Sequence, residues 1–332
     1  MENPVLVEVM RGGLVESRHR GALAVVDADG RAVMTLGDIE SPVFPRSAVK
    51  ALQALPLVES GAAEGFSGEE LAVACASHSG EPGHIAAVRR MLARVGLDGA
   101  ALRCGAHAPV NRTAAAALVR SGTEPSALHN NCSGKHAGFL CLSCRLKADI
   151  GGYCDPDHPV QREVKATIEA VSGVQLSNER RAIDGCSVPT WALPLGNLAL
   201  AFARFGTGQG LAPERAKAAA ALRKACTAHP WHVAGTDRFC TEAMRLFGAR
   251  AFVKTGAEGV YCAAFPDAGL GVALKCDDGA TRAAEVATAA VIARFVAMSA
   301  AEAAAFERFL RPTLRNWNGV EVGAMRPAGP LR

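Results

Sequence analysis

Ser47 and Lys50 stand three residues apart in Pro45-Arg46-Ser47-Ala48-Val49-Lys50, the one Ser-x-x-Lys of the chain. If the run that follows is helical, residues i and i+3 share a face, and the Lys50 amine lies one turn below the Ser47 hydroxyl. An amine can take the proton of an attacking hydroxyl only when it is neutral. Its usual pKa of about 10.4 must then be lowered by burial or by a neighbouring cation. The same four residues also describe a solvated lysine near a helix start. Two polar clusters offer further chemistry: Ser77-His78-Ser79-Gly80-Glu81-Pro82 is dense in hydroxyls, and His129-Asn130-Asn131-Cys132-Ser133-Gly134-Lys135-His136 precedes the apolar run from Ala137 to Leu146.

The elements that must position these groups follow from periodicity. Val5–Met10, Leu14–Arg18, Leu23–Val26 and Ala32–Leu36 read as strands, with Asp27-Ala28-Asp29-Gly30 as a hairpin turn. Ser41-Pro42-Val43-Phe44-Pro45 breaks that pattern. A helix is then expected from about Ser47 to Ser60, with Leu52, Leu55 and Val58 at helical spacing. Ser67-Gly68-Glu69-Glu70 is a capping signature, and further helices are expected over 81–95, 111–119, 159–171, 195–205, 213–225, 236–247 and 281–298. Three late segments, 251–254, 259–265 and 271–275, alternate as strands. Strands near both ends thus bracket a helical middle. The expected class is α+β, with an antiparallel central sheet from both termini, flanking helices and a helical insert. Residues 1–332 read as one unit, with a helical subdomain possible at about 60–235.

Composition excludes several classes. The net charge is +4, and only 8 of the 36 basic residues are lysines, with no basic tract, so nucleic-acid binding is not expected. The first twenty residues carry charges through their apolar positions, and no stretch of about 18 apolar residues occurs, so no membrane association is expected and the location is read as cytoplasmic. Eleven irregularly spaced cysteines do not suggest a disulfide framework and read mostly as small buried hydrophobes, Cys141 and Cys144 among them.

Lys254-Thr255-Gly256 follows a late strand, and serine β-lactamases and penicillin-binding proteins combine Ser-x-x-Lys on a helix with Lys-Thr-Gly on such a strand. Their Ser-Asp-Asn is missing; the nearest substitute is Ser77-His78-Ser79. A longer likeness joins Ser41 to Lys50, Ser77 to Pro82, His129 to His136, Asp184-Gly185-Cys186 and Lys254 to Gly259 in one order. In these segments the chain resembles the rhizobial-type (class 3) L-asparaginases. The resemblance implies hydrolysis of L-asparagine to L-aspartate and ammonia, a serine β-lactamase/glutaminase-like fold, a homodimer and a zinc site.

Carried over by position, the resemblance makes Ser47 with Lys50 one Ser–Lys pair and Ser79 with Lys254 a second, with Ser47 taken as nucleophile and Ser79 as the other candidate. It places zinc at Cys132, Lys135 and Cys186, auxiliary to substrate binding. Two thiolates suit Zn²⁺, whereas a lysine must lose its proton to ligate. Arg46 suits a substrate carboxylate and Asp184 its ammonium, while both could equally form a structural ion pair. Asn131 and His136 are further substrate-binding candidates. The competing readings are a glutaminase, another Ser-x-x-Lys hydrolase of β-lactamase or esterase type, and a non-catalytic zinc-dependent amino-acid-binding protein.

Overall fold

A computed structural model describes residues 2–332. The first three strands form where expected, β1 (Val5–Arg11), β2 (Leu14–Asp27) and β3 (Ala32–Leu36). The two segments expected as separate strands within 14–26 are one, because β2 changes partners midway. Its first half pairs with β1, and from Gly21 onward it pairs with a late strand. Glycine is required at that crossing, since a Cβ there would lie 2.3 Å from the Lys275 carbonyl oxygen.

The expected helix from 47 to 60 is broken. Arg46–Val49 is a 3-10 turn, followed by α1 (Lys50–Gln53) and α2 (Leu55–Glu59). Pro56 has no N–H to give to the preceding turn, so the α-helical ladder cannot run through it. The helical middle then comprises α3 (Gly68–Ala74), α4 (Pro82–Ala93), α5 (Arg112–Ser121), α6 (Ser133–Arg145), α7 (Pro159–Ser172), α8 (Leu195–Thr207), α9 (Pro213–Ala228), α10 (Pro230–Ala234) and α11 (Phe239–Phe247). Ser67 and Glu70 close a reciprocal capping box on α3, as the sequence indicates.

The chain returns to the sheet through β4 (Phe252–Thr255), β5 (Val260–Phe265) and β6 (Leu270–Cys276). Then come α12 (Thr281–Phe295), α13 (Ala300–Leu310), β7 (Thr313–Arg315) and β8 (Glu321–Pro327). The main sheet runs β7-β8-β1-β2-β6-β5-β4, all antiparallel, with β3 also on β2. Two short ladders, Pro42–Val43 with Leu193–Pro194 and Arg181–Ile183 with Pro189–Trp191, lie outside it. The expected antiparallel sheet built from both termini and flanked by helices is the observed architecture. The sequence reading lacked α10, α13, β7 and β8, although Ser299 and Glu302 repeat the capping box of α3.

Every residue of β5 is buried, with α8 and α12 packed on β5 and β6. Gly271 lets α8 approach, since a Cβ would stand 2.1 Å from the Ala203 nitrogen. Buried apolar residues of sheet and helices join in one cluster, and no helix among the described residues is long and apolar enough to cross a membrane.

Candidate active site

Four elements converge on the Lys50 amine. Lys50 opens α1 and is fully buried, and its Nζ donates to the Ala76 carbonyl at 2.7 Å, the Ser77 hydroxyl at 3.1 Å and the Asn131 carbonyl at 3.4 Å. Lys254, near the end of β4, comes from the other side, donating to the same Ser77 Oγ at 2.8 Å and to the Thr255 carbonyl at 2.9 Å. One hydroxyl is therefore held between two buried amines. Burial, and then the Lys50 charge, lower the Lys254 pKa to about 7. An amine that is neutral near neutral pH is thus supplied at Lys254, not at the lysine of the Ser-x-x-Lys for which it was required.

The expected partnership of Ser79 with Lys254 is corrected. Ser79 Oγ donates to the Ala234 carbonyl at 2.8 Å, whereas Ser77 takes the place between the lysines. The two serines are one residue either side of His78 in a segment with no regular secondary structure, so neither helix nor strand periodicity fixes where each hydroxyl points. The backbone choice is fixed by the Ser77 N–H, which donates to the Val233 carbonyl at 2.9 Å.

Ser47 lies in the 3-10 turn and is half-buried, and its hydroxyl makes no hydrogen bond to Lys50. The preceding Arg46 adopts a left-handed backbone with φ of 50°, a strained setting for a residue with a Cβ. Gly256 brings the end of β4 against this turn, where a Cβ would lie 2.7 Å from the Pro45 carbonyl oxygen. The glycine of Lys-Thr-Gly is thus what lets the second lysine's strand pass beside Ser47.

The cysteine cluster lies at the start of α6. Lys135 Nζ donates to Cys186 Sγ at 3.0 Å, and the Cys132 thiol meets Asn131 Oδ1 at 3.1 Å. A hydrogen bond with Cys186, against the cost of burial and helped by Lys50 and Lys135, pulls the Cys132 thiol well below its usual range. Burial works against the Lys135 ammonium, but both sulfurs and Asp184 outweigh it and keep it charged. Two neighbouring sulfurs, one with thiolate character, beside an amine fit the preference of Zn²⁺, provided the amine gives up its proton. Gly134 permits the approach of α6 to α3, since a Cβ would lie 2.1 Å from the Val73 carbonyl oxygen.

Arg46 and Asp184, expected to bind opposite ends of an amino acid, here bond each other at 2.6 Å. Burial would raise the Asp184 carboxyl, yet Lys135 and Arg46 hold it below its usual range. Asp184 also accepts from the Cys186 thiol at 3.6 Å, which joins the ion pair to the sulfur cluster. His136 is buried with Nδ1 on the Tyr153 hydroxyl at 2.7 Å and Nε2 without a side-chain partner; burial, then Lys135 and Lys50, keep its pKa well below the usual value. Cys141 is buried, and its thiol meets the Met91 carbonyl.

Ser77 is the residue the sequence reading lacked as a site member, although it occupies the position named as the nearest substitute for the missing Ser-Asp-Asn. His78 was also unassigned. It is buried, bonds Ser133 Oγ at 2.9 Å and stacks on His84, which stacks on Trp231. Little local marks these partners, because Ser77 meets Lys50 and Lys254 from 27 and 177 residues away and His78 meets Ser133 from 55.

The L-asparaginase II family matches residues 7–327. No curated protein matches the chain. Among solved structures, a β-lactamase from Mycobacterium bovis is 16% identical, with 83% of this chain covering 95% of that one at a TM-score of 0.42. A protein named Mglu is 14% identical over 87% of this chain and 71% of its own, at 0.47. A putative β-lactamase from Bacteroides dorei is 13% identical over 78% and 87%, at 0.39.

Proposed function

Because the chain belongs to the L-asparaginase II family, we propose that it hydrolyses L-asparagine to L-aspartate and ammonia through a serine ester at Ser47, with protons moved by Lys50, Ser77 and Lys254. The observation that carries this reading is the Ser77 hydroxyl within reach of both buried amines, one of them with a pKa of about 7. When Lys254 is neutral, a proton passes from Lys50 to Ser77 Oγ while the Ser77 proton passes to Lys254. Lys50 is then the neutral base.

Ser47 Oγ attacks the side-chain carboxamide carbon of the substrate as Lys50 takes its proton, forming the O–C bond and a tetrahedral oxyanion. The C–N bond breaks as Lys50 passes the proton taken from Ser47 to the departing nitrogen, and ammonia leaves. Water then attacks the ester as Lys50 takes one of its protons and returns it to Ser47 Oγ, the ester O–C bond breaks, and aspartate leaves with its carboxyl proton given up to solvent. Ser47 suits attack because it is half-buried and unengaged, whereas Ser77 is 5% exposed and fixed by both amines.

The Arg46–Asp184 pair offers a bidentate donor for the substrate carboxylate and a counter-charge for its ammonium, if substrate inserts between them. Cys132, Lys135 and Cys186 would hold Zn²⁺, which when bound supplies a positive charge to anchor substrate polar groups. Cys132→Ala should lower zinc content and raise KM for asparagine; unchanged zinc rejects that ligand set.

The deciding experiment measures ammonia release from L-asparagine, L-glutamine and a β-lactam, with mass spectrometry of quenched protein. Wild type should turn over asparagine. Ser47→Ala and Ser77→Ala should each lose roughly 100-fold or more in kcat, and the aspartyl adduct should map to Ser47. Ser79→Ala should stay within about tenfold of wild type, the loss of one hydrogen bond being worth about 1 kcal/mol. Absence of asparagine turnover rejects the function; an adduct on Ser77 rejects the nucleophile.

A further inference from the structure

A second group of metal-binding side chains lies outside this site. Glu69 on α3, His229 between α9 and α10, and His232 on α10 each place one potential ligand atom within 4.8 Å of the other two, and all three are half-buried. His232 Nε2 is 3.8 Å from Glu69 Oε2, and the imidazole centroids are 5.9 Å apart. Among the described residues these rings meet aromatic neighbours and Glu69, and make no hydrogen bond. Gly68 gives His229 its place: a Cβ there would stand 2.6 Å from His229 Nε2.

We propose that Glu69, His229 and His232 form a binding site for a divalent transition-metal cation of the Zn²⁺ or Ni²⁺ kind, separate from Cys132, Lys135 and Cys186. Two imidazole nitrogens and a carboxylate oxygen suit such borderline cations better than Mg²⁺ or Ca²⁺, which want oxygen alone. Tetrahedral bonds of ~2.05 Å put ligand atoms roughly 3.3 Å apart, and side-chain rotation can close the present separations to that value. Arg90 is the opposing charge, donating to Glu69 Oε2 at 2.7 Å. It also lies 3.9 Å from Glu70 Oε1, so it keeps a carboxylate when Glu69 turns to the metal.

The consequence reaches the serine loop. The chain leaves α3 directly into Ala76-Ser77, and α10 holds that loop from the other side. The Val233 carbonyl accepts from the Ser77 N–H at 2.9 Å, and the Ala234 carbonyl accepts from Ser79 Oγ at 2.8 Å. A cation bridging Glu69 to the two histidines staples together the segments that fix Ser77. The site stands independently of the amide hydrolysis proposed above.

The test is calorimetric titration of Ni²⁺ into the full chain after chelator treatment. Wild type and Cys132→Ala should share a binding event that His229→Ala, His232→Ala and Glu69→Gln each weaken at least about tenfold. Ni²⁺ should raise the melting temperature of Cys132→Ala but not that of the double variant Cys132→Ala with His229→Ala. Glu69→Gln, which preserves shape, keeps the result readable if a histidine variant folds poorly. Histidine and Glu69→Gln variants that titrate as wild type overturn the site, as does a wild-type signal wholly abolished by Cys132→Ala.

Discussion

Lys254 holds its proton weakly because burial and the neighbouring Lys50 both oppose its charge. In the proposed relay the neutral amine is the active form, so kcat/KM for asparagine should climb as pH rises through about 7 and then level off. A profile flat from pH about 5.5 to 9 sinks the relay. The same shift enters stability. The folded pKa of about 7 lies below the usual 10.5, so between these values the unfolded chain binds the extra proton and stability rises with pH. Below pH 7 the folded protein carries the buried charge, and that gain is absent. Lys254→Met should remove up to ~1.4 kcal/mol per pH unit of this slope, read by urea denaturation at several pH values.

At the scale of elements, the site depends on close approaches that a side chain would block. Gly256 allows β4 to lie beside the turn of Ser47, and Gly134 allows α6 to reach α3. In Gly256→Ala the new Cβ must displace backbone, because its nearest neighbour is the Pro45 carbonyl. A displacement of about 1 Å at reacting groups can cost 100-fold in rate. The variant should therefore lose roughly 10- to 100-fold in kcat while retaining a cooperative melt; wild-type kcat would show that the strand does not position Ser47. The Ser67 capping box was readable because it arises from neighbours within four residues, whereas the break before Pro56 was not read: a continuous helix was expected from about Ser47 to Ser60. Upstream of it, Ser47 lies in a 3-10 turn and the Lys50 amine reaches Ser77, neither of which the helical spacing indicated.

Across the whole molecule, the first and last strands are joined by more than their ladder. Glu8 on β1 takes Arg326 of β8 at 2.8 Å and Arg332 at 2.8 Å, with Arg18 at 3.8 Å. The hydrogen bond from Arg326, against the cost of burial and aided by Arg332, lowers the Glu8 pKa below its usual 4.5. This stabilisation is present above pH 4.5 and is lost as pH falls through the lowered folded value. Glu8→Gln should lower Tm by roughly 1–2 °C at pH 7, equivalent to about 1 kcal/mol for a chain of this size, and by less at pH 3. Equal losses at both pH values would refute the charged network.

The sequence alone determined the alternation of strands near both ends, the helical middle, the capped helix starts, and the polar segments from which the site is drawn. Those features depend on local periodicity and on residue chemistry, both of which survive in a linear string. Tertiary structure alone decided that Lys50 serves Ser77, that Ser77 and not Ser79 meets Lys254, and that Arg46 closes on Asp184. Tertiary structure also brought Glu69 to His229 and His232. The physical reason is that a hydrogen bond is decided over tenths of an ångström by the direction of a side chain. Ser77 and Ser79 lie only two residues apart in an irregular segment, and the partners that select one of them arrive from Lys50, Val233 and Lys254, far along the chain.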